Sequence, residues 1–518
     1  MTKDSPINFS TERTAGILLH ISSLPSEFGI GDLGVHARAF VDWMSHAGFT
    51  LWQVLPIVPV GEGNSPYCSP TAFGGNPLFL CLHTLVEWKL LAQKDIATPP
   101  LFDLNQVEYK GVLAYKMPLL KKAAQNLLAN PKHKLFKDFQ NYKKKQSYWL
   151  EDSALFSVLR ERNNNTQWWN WPKELRNRAT EALASARKKY ATEISETMAL
   201  QFFFDLQWAA LKSYCAKNQI ALVGDIPIYV GGDSADVWAN PQLFKLGANG
   251  TATKVAGCPP DAFSQTGQLW GNPVYNWKEH ENTNFSWWIS RAKRALEHAH
   301  IVRIDHFRGL AAYWEIPAED TDARGGKWVK GPSHAFFEAL QNAFGSLPFI
   351  AEDLGYIDEP VIELRDTHNL PGMMILQFAF GSNAANEHLP HNAVRNRIIY
   401  TGTHDNETLV GWWNNLSENA RTHMRNYLGA HHADTREVAK SMMRSVLASI
   451  ANHAVLPMQD VLGLDNSARM NTPGTDGSHN WAWRMGHDSL GSHLAKELRA
   501  LIELYGRRQV RDSQKNIL

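Results

Sequence analysis

Eight short apolar runs, rich in β-forming residues and separated by stretches of helical periodicity, constrain this chain most. They begin at Gly16 (GILLHISSL), Thr50 (TLWQVLPIV), Ile220 (IALVGDIPIYV), Ile301 (IVRIDHF), Pro348 (PFIAEDLG), Met373 (MMILQF), Arg397 (RIIYTGTHDN) and Ala454 (AVLPMQDVLGL). Several are apolar throughout rather than alternating, which suits strands covered on both faces. Helical patterns such as VHARAFVDWMSHAG and SWWISRAKRALEHA lie between them. Alternation repeated this often predicts an α/β fold, a closed (β/α)8 TIM barrel, with an open doubly wound sheet as the structural alternative. The fourth, fifth and seventh runs end in an acid. That spread of charged strand ends favours the barrel, whose active face gathers strand tips.

The 518 residues read as a single catalytic barrel, 1–518, with two insertions. Residues 57–219 lie between the second and third strands and are far more than a crossover helix needs. Their charged helical stretches predict a mostly helical insertion subdomain. Residues 231–285, between strands three and four, carry GCPPDAFSQTGQLWGNP. A long Gly/Pro-rich segment at this place predicts a lid-like loop over the active face.

Composition narrows the function. A net charge of +1 gives no field for nucleic acid or a membrane surface, so neither is expected as a partner. The four cysteines, Cys68, Cys81, Cys215 and Cys258, show no CxxC spacing and read as reduced thiols. The first 16 residues are polar and lack a signal core, and no apolar stretch approaches the roughly 20 residues that span a bilayer. A cytoplasmic protein is expected, with its oligomeric state left open. The 19 tryptophans include adjacent pairs such as Trp168-Trp169 and Trp412-Trp413. Trp presents a broad apolar face with a polar edge, which suits sugar rings, although core packing accounts for most.

The chemistry sits at the strand ends. Arg303 and Asp305 are two apart on one strand and share a face. The arginine favours the ionised carboxylate, and an ionised carboxylate at a strand tip can attack an anomeric carbon; a structural ion pair is the other reading. Glu352 ends an apolar run, so desolvation should raise its pKa toward that of a general acid. Asp353 beside it could pair with a helix N-terminus. Asp405, between His404 and Asn406, could bond sugar hydroxyls or simply form an Asx-turn. Three such segments together point to glycosidic-bond chemistry, for which two carboxyls are the minimum.

Other signals exclude classes. GEGNSPY (Gly61–Tyr67) lacks the ending of a P-loop, the histidines show no metal-ligand spacing, and there is neither a GxSxG elbow nor a dinucleotide glycine fingerprint. No metal and no cofactor are expected. Asp225 is a further acid at a strand end.

The chain resembles the 4-α-glucanotransferases of glycoside hydrolase family 77, a branch of the α-amylase superfamily. The resemblance rests on WQVLPIVPVGEGNSPYCSPTAFGGNP (Trp52–Pro77), GDIPIYV (Gly224–Val230), PPDAFSQTGQLWGNPVYNW (Pro259–Trp277), RIDHFRG, AEDLG, GTHDNET and NTPGTDGSHNWAWR (Asn471–Arg484). It implies Asp305 as nucleophile, Glu352 as general acid/base and Asp405 as the carboxylate that stabilises a distorted, positively charged sugar. Arg303 would position Asp305, and His306 and His404 would contact hydroxyls, with Asn406 beside them. Tyr67 would stack under the sugar, Asp225 would hold another part of the glucan, and Trp270 and Asn272 would close the acceptor side. The resemblance further implies transfer of α-1,4-glucan segments among maltose, maltotriose, maltodextrins and starch or glycogen, without the C-terminal β-sandwich of amylases. An α-glucan hydrolase and a non-catalytic glucan-binding barrel are the alternatives.

Overall fold

The computed structural model describes residues 5–508 apart from 261–263, 432–433, 476 and 478. Twelve strands run in chain order: β1 Thr14–Leu18, β2 Leu51–Gln53, β3 Ala221–Pro227, β4 Lys254–Cys258, β5 Gln268–Pro273, β6 Ile301–Asp305, β7 Ala312–Pro317, β8 Lys327–Lys330, β9 Phe349–Ala351, β10 Gly372–Ile375, β11 Arg397–Tyr400 and β12 His453–Pro457. Eight of them close a barrel in the order β1-β12-β11-β10-β9-β6-β3-β2, every pair parallel. These eight coincide with the eight apolar runs. Strands β1, β2, β9, β10 and β12 are buried along their whole length, which is why their sequences do not alternate.

Helices pack outside. Val35–Ala47 links β1 to β2, Ser286–His298 leads into β6, Ser333–Phe344 into β9, Glu359–Thr367 into β10, and Thr435–Ala448 into β12. The β10–β11 connection is an exception, with only two 3-10 turns, Leu376–Phe378 and Pro390–Asn392. Between β2 and β3 the chain forms the helices Tyr109–Leu128, Phe136–Lys145, Leu150–Arg162 and Ala191–Lys217, among shorter ones. Past β12, no strand occurs among the described residues.

Between β3 and β6 the sequence reading expected a loop. The described part instead contains a short helix, Ala235–Ala239, and strands β4 and β5; residues 261–263 of the expected lid lie outside the described residues. These strands join β7 and β8 in a four-stranded antiparallel sheet, order β5-β4-β7-β8. The segment that follows β6 thus supplies partner strands for the 231–285 insertion.

Register sets the site. Asp225 pairs with Arg303 and Pro227 with Asp305 across β3 and β6, and Ile304 pairs with Ala351 across β6 and β9. One step beyond that last pair, Asp305 and Glu352 leave adjacent strands at the same level. Gly372 is required by close approach: a Cβ there would lie 1.8 Å from Arg397 Nη1 and 2.4 Å from Asp353 Oδ2.

Candidate active site

The site grows from an ion network inside the barrel mouth. Arg303 points inward and is 4% exposed. Its Nη1 donates to both oxygens of Asp225, at 2.9 and 2.7 Å, and its Nη2 donates to Asp305 Oδ1 at 2.8 Å. Tyr67 stands on the turn Pro66–Cys68, capped by Ser65, and its hydroxyl donates to Asp225 Oδ2 at 2.7 Å. Asp225 therefore has both oxygens engaged, and its side chain has no exposed surface. Asp225, expected to hold part of the glucan, is bonded here to Arg303 and Tyr67.

Asp305 keeps 29% of its side chain open. Burial pushes its pKa up to about 6, Arg303 pulls it back, and the charges of Asp225 and Asp405 add to the rise. The sequence reading had Arg303 hold it low. That guanidinium is shared with Asp225, so its pull is partly spent. Glu352 is driven well above the usual carboxylate range, chiefly by burial; Arg303 opposes and the Asp305 charge adds. Its Oε2 accepts the backbone N–H of His306 at 2.6 Å. His306 has φ 53°, a left-handed conformation costing a non-glycine residue about 1–3 kcal/mol. That conformation accompanies an N–H aimed at the acid.

The neighbour of Glu352 has a different task. Asp353 is buried, accepts from Arg365 Nη1 and Arg397 Nη1 at 2.6 Å each, and takes the Met373 N–H at 2.7 Å. It clamps strands rather than capping a helix. Adjacent residues face opposite ways, so one acid enters the site and the other the wall.

Asp405 follows β11 on a turn tied by Asn406, whose Oδ1 accepts from the Thr403 N–H (2.8 Å) and hydroxyl (3.0 Å). The carbonyl oxygen of Asn406 is thus committed to the turn. Asn471 Nδ2 donates to Asp405 Oδ1 at 2.6 Å, and Arg469 Nη2 to the Asp405 carbonyl at 2.6 Å. His404 stacks on Tyr67 with ring centroids 5.3 Å apart, and Trp481 packs against both. Burial lowers the pKa of His404 and pushes His306 down to about 3, so both are neutral imidazoles able to donate to a hydroxyl.

From the four-stranded sheet, Trp270 meets His306 edge-on at 4.7 Å. Asn272 Nδ2 is bonded to the Val230 carbonyl at 2.9 Å, fixing β5 against the end of β3. The structure thus links Tyr67, Asp225, Arg303, Asp305, Glu352, His306 and Trp270 in one set of contacts, and Tyr67 and His404 carry it to Asp405. Asn471, Arg469 and Trp481 were not singled out individually from the sequence. Asn471 and Trp481 lie in NTPGTDGSHNWAWR, which stood out only as a motif, Arg469 lies just before it, and nothing local in either points at Asp405.

Comparison with known proteins identifies the family. A family model described as 4-alpha-glucanotransferase, glycosyl hydrolase 77, matches residues 19–488. A chloroplastic/amyloplastic 4-alpha-glucanotransferase of Oryza sativa subsp. japonica is 46% identical over 96% of this chain and 84% of its own. The 4-alpha-glucanotransferase of Synechocystis sp. is 44% identical over 96% and 98% respectively. The solved amylomaltase from Streptococcus agalactiae in complex with acarbose superposes with a TM-score of 0.92 at 35% identity, covering 96% of this chain and 100% of that one.

Proposed function

The chain belongs to the 4-alpha-glucanotransferases of glycoside hydrolase family 77, and from that premise we propose how its carboxylates move α-1,4-glucan segments between maltodextrins. The reaction is a retaining double displacement. Glu352 protonates the glycosidic oxygen as Asp305 attacks the anomeric carbon; the C–O bond to the leaving chain breaks and a glycosyl–Asp305 ester forms. The leaving chain departs with its proton. Glu352, now a carboxylate, takes the proton of an incoming sugar hydroxyl, whose oxygen displaces Asp305 and restores the α configuration.

The observation that carries this reading is the unlike environment of two carboxyls at the same level of β6 and β9. Arg303 bonds Asp305 and opposes the rise that burial gives its pKa, which favours the ionised form, whereas burial drives Glu352 well above the usual carboxylate range, which favours the protonated form. Carboxyls pushed apart in this way divide into nucleophile and acid. With Glu352 Oε2 taken by the His306 N–H, Oε1 is the atom that carries the proton.

Asp405, held by Asn471, faces the positive charge that develops on the ring. Tyr67 stacks beneath the sugar, and His306 and His404 donate to its hydroxyls. Transfer prevails over hydrolysis because a bound acceptor reaches an effective molarity of ~10⁵ M or more, above the roughly 55 M of water. Trp270, on β5 against His306, lies where it can exclude water from the acceptor side. The insertion 57–219 acts as a subdomain on the barrel rim. The four cysteines form no disulfide, which supports a reducing, cytoplasmic setting. No helix of the described residues is long and apolar enough to cross a membrane.

The test is incubation with maltotriose alone. Glucose plus a ladder of longer maltodextrins, with little gain in reducing ends, is the expected product set. Glucose and maltose with rising reducing ends would make the enzyme a hydrolase.

A further inference from the structure

Trp328 is the most open tryptophan among the described residues, at 38% exposure, and it lies beside Tyr356, at 66%. Their rings are stacked, centroids 6.2 Å apart and planes 27° from parallel. Beneath them lies the buried Arg308, its guanidinium 3.8 Å from the Trp328 ring centre and 5.3 Å from that of Tyr356.

That guanidinium is fixed from several sides. Nη1 donates to the Tyr356 carbonyl at 2.6 Å, Nη2 to Asp358 Oδ2 at 3.3 Å and Nε to the Ala312 carbonyl at 3.3 Å. Trp314, paired with Trp328 across β7 and β8, packs edge-on against it at 5.2 Å, and its own Nε1 is held by the Ala323 carbonyl. The two open rings are therefore set rigidly. A rigid aromatic surface loses little entropy when something stacks on it.

Position suggests what stacks there. Arg308 follows the nucleophile by three residues and Tyr356 follows the acid by four, so chain geometry keeps their Cα atoms within about 11 and 15 Å of those of Asp305 and Glu352. If the pair merely shielded Arg308, its outer faces would gain nothing from staying open. Apolar sugar faces stack on such rings while their hydroxyls stay in water.

We propose that Trp328 and Tyr356 form a stacking platform for a stretch of long α-1,4-glucan beyond the sugars that flank the scissile bond. The proposal rests on the glucanotransferase reading of the carboxylate site. It makes the enzyme favour long chains through contacts that short ones cannot reach.

Calorimetric titration of the full-length Glu352→Gln enzyme with maltoheptaose and with maltotriose tests it. Adding Trp328→Ala or Tyr356→Ala should raise the ratio of the maltoheptaose Kd to the maltotriose Kd about fivefold, as expected for one lost stacking contact. Tyr356→Phe, which keeps the ring, should retain the parent ratio. A purely structural role would weaken both ligands alike, so an unchanged ratio in both alanine variants overturns the platform and leaves the carboxylate reading standing. A Glu352→Gln enzyme that binds neither ligand contradicts both.

Discussion

Asp225 gives both of its oxygens to a single nitrogen of Arg303, at 2.9 and 2.7 Å, with both side chains buried in the barrel mouth. The charge of Arg303 is thereby divided between Asp225 and the nucleophile. The Asp225 charge is one of the causes that raise the Asp305 pKa to about 6. In Asp225→Asn that cause is gone, and the acid limb of kcat/KM against pH should move to lower pH. A limb that moves up would mean Arg303 had been lost from Asp305. Asp225→Ala, which leaves Arg303 buried without its main partner, should cost about 3–5 kcal/mol in urea unfolding.

The wild-type profile should be a bell. Activity needs Asp305 ionised, so kcat/KM rises with pH through about 6. It also needs Glu352 protonated, so the rate falls once pH passes the raised Glu352 value. The limits belong to the pair rather than to single residues. A glycosyl fluoride donor needs no acid, since fluoride leaves unaided. In Glu352→Gln with that donor, formation of the glycosyl-enzyme, followed by fluoride release, should keep the acid limb and lose the alkaline one.

Asp405 depends on a segment far along the chain. Asn471 bonds it at 2.6 Å, and a hydrogen bond to a charged group is worth about 1.5–3 kcal/mol. Asn471→Ala should lower kcat about tenfold or more with a smaller change in KM, because Asp405 acts on charge present only in the transition state. Asp405→Asn should cost on the order of 10²–10³ in kcat. Steady-state kinetics on maltotriose separates the two parameters, and an effect confined to KM would assign Asp405 to ground-state binding.

Trp270 belongs to β5, so deleting its segment would strip β4 of a partner strand as well. The substitution Trp270→Ala is the cleaner probe of water exclusion. It should raise the share of hydrolysis, measured as new reducing ends per transfer event. An unaltered ratio would remove Trp270 from that role.

The barrel was legible because burial on both faces leaves strands with continuous apolar sequences, and the fourth, fifth and seventh runs, such as IVRIDHF, mark their ends with a charge. The carboxyls proposed as catalytic stand out for the same reason. The sheet β5-β4-β7-β8 was not: Lys254–Cys258 is broken by Gly257, and Lys327–Lys330 is four residues with lysine at both ends. Such strands exist by pairing with remote partners, which local pattern does not encode. Asp225 was legible as a strand-end acid, but its bond to Arg303 was not, because Arg303 reaches it from the next strand. For Asp305, sequence shows the arginine two residues away that lowers its pKa and hides the burial, and the charges of Asp225 and Asp405, that raise it.

The central claim is that Asp305 carries the glycosyl group. Glu352→Gln given a maltosyl fluoride should complete the first step and stall at the second, which lacks its base. Mass spectrometry of the digested enzyme should then find a maltosyl adduct on the peptide containing Asp305, absent from the same enzyme bearing Asp305→Asn. An adduct on another residue, or release of product with inverted configuration and no adduct, would contradict the account.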